Sequence, residues 1–174
     1  MTPPTPEPAA PLVEDETTWA ALAHLGGAFI IVAALLGVAG VGGAVQALVA
    51  LLSLLPALVI WIVFGRRSAR IATESKEALN FSLTAVALLV AWIIVSTVAV
   101  YVIGNAIISA WLNDMDSFLD PAADPTATIE ALRFWFGVPT MVIAGAATLL
   151  SLFAGIRVAT GHAFRYPVAV RLLH

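Results

Sequence analysis

Long stretches without a formal charge constrain this chain more than any other feature. No Asp, Glu, Lys or Arg occurs from about Trp19 to Gly40, from about Ala44 to Phe64, or from Leu79 to Leu112. A fourth apolar run, Phe134 to about Val158, carries only Arg157 near its end. A bilayer core about 30 Å thick is crossed by about 20 apolar helical residues. The 174 residues are 61% hydrophobic and 11% charged, against about 45–50% and 25% in soluble domains. A soluble fold of this size buries only about two-thirds of its surface and could not hide so much apolar side chain. The natural solvent of the chain is lipid.

The spacing predicts an all-α integral membrane protein with four transmembrane helices over about 19–40, 44–64, 79–103 and 134–158. The glycines of "GVAGVGG" allow a tight reversal between the first two spans. The third run is too long for one straight crossing, so its helix is expected to leave the lipid after about Ile103, where Gly104 and Asn105 weaken the pattern. An outer loop is expected over about 112–132, and a disordered, Pro-rich acidic tail over 1–18. The tail has no Lys or Arg, unlike a signal or transit peptide.

Orientation follows from the cations. Arg66, Arg67, Arg70 and Lys76 follow the second span, and Arg157, Arg165 and Arg171 close or follow the fourth. Only Arg133 falls on the other side, next to the acidic "NDMDSFLDPAADPTATIE". Seven of eight positive charges on one side, with an even number of crossings, place both termini in the cytoplasm of a bacterial inner membrane. Trp19, Trp61 and Tyr166 are expected at the inner interface and Trp111 and Trp135 at the outer one. Helices in lipid approach through small residues, and Ala147, Ser151, Gly155 and Ala159 form a strict four-residue row in the fourth span. Ala33 and Gly37 repeat the spacing in the first.

Polar chemistry is scarce. Without cysteine there is no disulfide frame, thiol chemistry or Cys-based metal site. No charge lies deep in a span, as proton relays and ion pathways usually require. The three histidines, His24, His162 and His174, show no metal-ligand spacing, and no metal or cofactor is expected. A net charge of −3 does not suggest nucleic acid. The chain is therefore expected not to be an enzyme.

The polar stretch "RRSARIATESKEALNFSLT" fits a short interfacial helix before the third span, with Arg70 one turn from Glu74 and Lys76 one turn from Asn80. Asn80 opens an apolar run, and a buried Asn needs partners. A second polar segment, "GHAFRYP", follows the fourth span, where Pro167 stops any helix. The two segments are expected to meet, with Glu74 or Glu77 near Arg165. The candidate platform comprises His24, Glu74, Lys76, Glu77, Asn80, Phe81, Gly161, Arg165, Tyr166 and Pro167.

The blocks "WAALAHLGG", "LVIWIVFGRR", "SKEALNFSLT" and "AGIRVATGHAFRYPVAVRLL" resemble a small bacterial membrane family of unknown function related to the chloroplast inner-envelope import component (Tic-twenty-like). The resemblance covers nearly everything after Thr18 and implies four helices with both termini inside, but no reaction. A scaffold or subunit of a membrane assembly is the expected role, with lipid and membrane proteins or further copies of the chain as partners. An oligomeric channel or translocation component is the alternative, and a headgroup enzyme using His24 and Glu77 a third reading.

Overall fold

Every regular element is helical among the residues that the computed structural model describes, 15–41, 43–114 and 125–173. The first membrane-length helix is built from α1 (Glu16–Ala23), a 3₁₀ turn (His24–Gly26) and α2 (Gly27–Val38). The second is built from α3 (Gly43–Leu51), a 3₁₀ turn (Leu52–Leu54) and α4 (Leu55–Phe64). Single helices follow: α5 (Ala69–Asn113, 45 residues) and α6 (Pro125–Ala159, 35 residues). Four helices are thus long and apolar enough to cross a membrane.

Several boundaries depart from the sequence expectation. Of the expected tail, Glu16–Thr18 are helical, and residues 1–14 lie outside the described residues. The interfacial segment is not a separate helix but the first turns of α5, which begins where Ser68 Oγ accepts the N–H of Ile71 at 3.2 Å as an N-cap. Through Gly104 and Asn105 α5 runs on to Asn113, in keeping with a helix that continues past its apolar run. Of the expected outer loop, residues 112–113 and 125–132 are helical, and 115–124 lie outside the described residues. At 1.5 Å per residue α5 is about 68 Å long, roughly twice the hydrocarbon thickness.

The described residues group into two units. Of the described residues, the first comprises 15–28, 53–84 and 149–173. Its core is built on small side chains: Ala20, Ala23, Ala57 and Ala78 are buried together with Ile60, Ile71, Leu79 and Val158. Such residues let helix backbones come close where lipid supplies little hydrophobic force between helices. Gly26 takes this furthest, because a Cβ there would fall onto the backbone carbonyl oxygen of Ser53. Both residues sit in the 3₁₀ turns. The second turn has a cause in sequence: Pro56 has no N–H for the Leu52 carbonyl, and the chain tightens just before it. Trp19 stacks on Phe64 with ring centroids 4.5 Å apart.

The second unit comprises the described residues of 29–52 and 85–148. Ile30, Ala33, Ala50, Leu89 and Ala144 are buried in it, whereas Leu35, Tyr101 and Trp135 are exposed, as lipid-facing side chains would be. Trp92 donates its indole N–H to the Phe136 carbonyl at 3.1 Å. Pro139, three residues on, has no N–H for the neighbouring Trp135 carbonyl and so opens the hydrogen-bond ladder of α6.

The small-residue row of α6 holds only in part. Ala147, Ser151 and Gly155 are buried but Ala159 is exposed. A strict four-residue step advances 40° beyond a full turn, so three steps carry the last residue off the face. The buried face instead follows Thr140, Ala144, Ala147, Ser151, Ala154 and Val158, alternating steps of four and three.

Candidate functional site

The polar residues of the first unit converge on His24. The 3₁₀ turn carries His24 inward, and its side chain and those of Glu74 on α5 and Tyr166 after α6 are each buried to within 3% of full enclosure. Tyr166 Oη lies 2.8 Å from His24 Nδ1, and Glu74 Oε2 lies 3.3 Å from His24 Nε2. Burial pushes the Tyr166 phenol well above its ordinary range, and a hydrogen bond from Ser151 only partly opposes this. Tyr166 therefore keeps its proton, and its hydroxyl pairs with Nδ1. On the other side of the ring Nε2 pairs with Glu74. Ser151, Tyr166, His24 and Glu74 form one hydrogen-bonded chain drawn from α6, the C-terminal segment, the first helix and α5.

Packing holds the chain in place. The Tyr166 ring stacks on Phe81 at 3.9 Å, nearly parallel, and meets Phe164 edge-on at 5.0 Å. Gly155 of α6 passes beside Ala21 and His24, where a Cβ would make ordinary van der Waals contact.

How the C-terminal segment reaches the site is set by Gly161. Its φ of 89° ends α6 in a Schellman motif: Gly161 N–H donates to the Val158 carbonyl at 3.0 Å and His162 N–H to the Arg157 carbonyl at 3.1 Å. Gly40, at φ 79°, ends the first span in the same way, through Leu36 and Gly37. Beyond Gly161 the segment returns along α5. Asn80 Oδ1 accepts the N–H groups of Leu172 and Leu173 at 3.1 and 3.0 Å, and its Nδ2 donates to the Leu173 carbonyl at 3.1 Å. Thr84 Oγ1 accepts the Val170 N–H at 2.9 Å.

The expected meeting of the two polar segments is therefore present, but several pairings differ. Glu77 approaches Arg171, at 3.9 Å, while Arg165 is exposed. Arg70 does not serve Glu74: its guanidinium donates to the Val158 carbonyl at 3.3 Å, where a cation meets the negative end of the α6 dipole. Lys76 is half-buried, and Pro167 is exposed. His162 is exposed and lies 3.3 Å from the Thr160 hydroxyl. Sequence reasoning missed the part played by Thr84, Arg171 and the backbone of Leu172 and Leu173. The only signal was the need of a buried Asn80 for partners.

Comparison with known families places this architecture. The model of the MamF/MmsF family, the magnetosome magnetite crystal formation protein family, matches residues 15–173. The chain belongs to this family. No curated protein and no solved structure matches it. The relation to the plastid import component suggested by "KEALNF" and "FRYP" finds no support in these comparisons. What stands is membership of a magnetosome family of membrane proteins. In this family member no group of three or more His, Cys, Asp or Glu able to hold a metal ion occurs among the described residues. Both ring nitrogens of His24 and both ends of the Asn80 amide are turned on internal partners.

Proposed function

We propose that the chain is a structural, non-catalytic component of the membrane around a magnetite-forming compartment, a scaffold on which membrane proteins or further copies assemble. Family membership supports the setting. The single observation that carries the structural role is that both ring nitrogens of His24 and both ends of the Asn80 amide are consumed by internal partners. A catalytic or ligand-binding site would leave such groups facing an opening. In this reading the cation-rich ends face the cytoplasm. The acidic stretch between α5 and α6 faces the mineral side.

The test is deletion and complementation in a magnetite-forming bacterium, with crystal size and number read by electron microscopy. Deletion should leave membrane compartments present but alter the crystals, and the full chain should restore them. Unaltered crystals would overturn the setting. Purified protein in liposomes should not pass ferrous iron; measurable flux would replace the scaffold with the conduit.

A further inference from the structure

The C-terminal segment shows a pattern that the polar site does not need. From Val168 to Leu173 its residues alternate. Leu173 packs on the core of the first unit and Arg171 turns toward Glu77, whereas Val168, Val170 and Leu172 are 69%, 57% and 64% exposed. Three large apolar side chains thus stand outward from a segment with no helix of its own.

Such a backbone can enter a membrane only if its N–H and C=O groups find partners. Here they do. The N–H groups of Val170, Leu172 and Leu173 and the carbonyl of Leu173 are all taken up by Thr84 and Asn80, and the Val170 carbonyl accepts a second bond from Leu172 N–H at 3.1 Å. The depth also fits. Glu77 is the last charge on α5 before its apolar run, and Thr84, opposite Val170, lies seven residues further on. At 1.5 Å per residue that is about 10 Å, the depth at which interfacial segments place their apolar face. The outer surface continues onto α6, because Phe164 packs edge-on against the exposed Phe153 at 5.7 Å. Arg165 is exposed beside the strip, and Arg171, though it reaches Glu77, keeps half of its side chain exposed, so both can meet anionic headgroups.

We propose that Val168–Leu173 is a lipid-surface anchor: a ribbon clamped to α5 by Asn80 and Thr84, its outward side chains set into the acyl boundary of an anionic bilayer and its arginines on the headgroups. Because nothing in it depends on magnetite, it stands apart from the proposed scaffold role.

The chain lacks cysteine, so single spin labels can be placed cleanly on the full-length protein. Val168→Cys, Val170→Cys and Leu172→Cys, with His162→Cys as the aqueous reference, would be reconstituted in phosphatidylethanolamine–phosphatidylglycerol vesicles. Power saturation with oxygen and a water-soluble nickel chelate would then be compared. The three strip positions should show an oxygen-to-nickel accessibility ratio several-fold above that of His162. A ratio like that of His162 would overturn the anchor in favour of a solvated tail. Protection from both reagents would overturn it in favour of a protein partner. Replacing phosphatidylglycerol by phosphatidylcholine, or combining Arg165→Gln with Arg171→Gln, should lower the ratio at Val170. No change in either arm would remove the headgroup half of the proposal.

Discussion

Asn80 and Leu173 exchange two hydrogen bonds, 3.0 Å into the Asn80 carbonyl oxygen and 3.1 Å back from its amide. One side chain on a helix thus completes the backbone pairing of a segment 93 residues further along the chain. Asn80→Ala should leave the N–H and carbonyl of Leu173 without partners and the Leu172 N–H with only the Val170 carbonyl, and an unpaired buried group costs about 1–3 kcal/mol. Asn80→Asp keeps the acceptor and loses only the bond to the Leu173 carbonyl, so it should destabilise less. Thermal unfolding in detergent should rank the chains parent, Asp, Ala. Limited proteolysis should cut the Ala variant after Gly161 sooner than the parent.

Tyr166 joins the site by its ring and by its hydroxyl, and the two can be separated. Tyr166→Phe keeps the stack on Phe81 but leaves His24 Nδ1 buried and unpaired, at a cost of about 1–3 kcal/mol. Tyr166→Ala also loses the ring, and large-to-small core changes of aromatic residues cost about 3–5 kcal/mol.

Burial raises the Tyr166 phenol above its unfolded value near 10. Above about pH 10 the released segment therefore binds fewer protons than the docked one, and stability falls as pH rises, by up to about 1.4 kcal/mol per pH unit. Below that range the contribution is fully present. Thermal unfolding measured on the alkaline side should show this fall in the parent, and Tyr166→Phe should flatten it.

The four apolar runs were legible because lipid demands a length and a composition, and both are written locally. Helix ends were less so. Ser68 fixes the start of α5 and Gly161 the end of α6 through single backbone bonds, whereas charge content had suggested a break between Lys76 and the third span. The site was half legible. His24, Asn80 and Tyr166 stand out as polar groups at the edge of oil. Which carboxylate takes which arginine depends on the path of the C-terminal segment, so Glu77 meets Arg171 and not Arg165. Ala159 was misplaced because the spacing of four residues was extended further than a 3.6-residue helix allows.

Gly26 should be the least replaceable small residue of the first helix. A Cβ there would meet the Ser53 backbone carbonyl, which lies in a 3₁₀ turn and cannot move aside as a side-chain tip could. Gly26→Ala should cost about 1–3 kcal/mol or more, as overpacking does. Gly145→Ala meets nothing within 4 Å and gains up to about 1 kcal/mol of helix propensity. Opposite shifts in midpoint temperature are expected for this matched pair, and equal shifts would show that the Gly26–Ser53 contact is not a tight one.

Topology closes the predictions, because the first unit gathers the chain ends independently of any charge rule. The opening of α1, the Gly65–Ser68 turn and the residues after α6 all belong to it. A bilayer crossed by the four long helices must therefore leave these three segments on one side, and seven of the eight Lys and Arg residues lie with them. Cysteines introduced at Arg66 and at His162, both exposed, should react with a membrane-impermeant maleimide from the same side of sealed vesicles. Cysteines at Asn113 and Glu130, exposed at the facing ends of α5 and α6, should react from the other. In intact cells stripped of their outer membrane the first pair should be protected and the second labelled. Labelling of Arg66→Cys and His162→Cys from opposite sides would mean that one long helix does not cross.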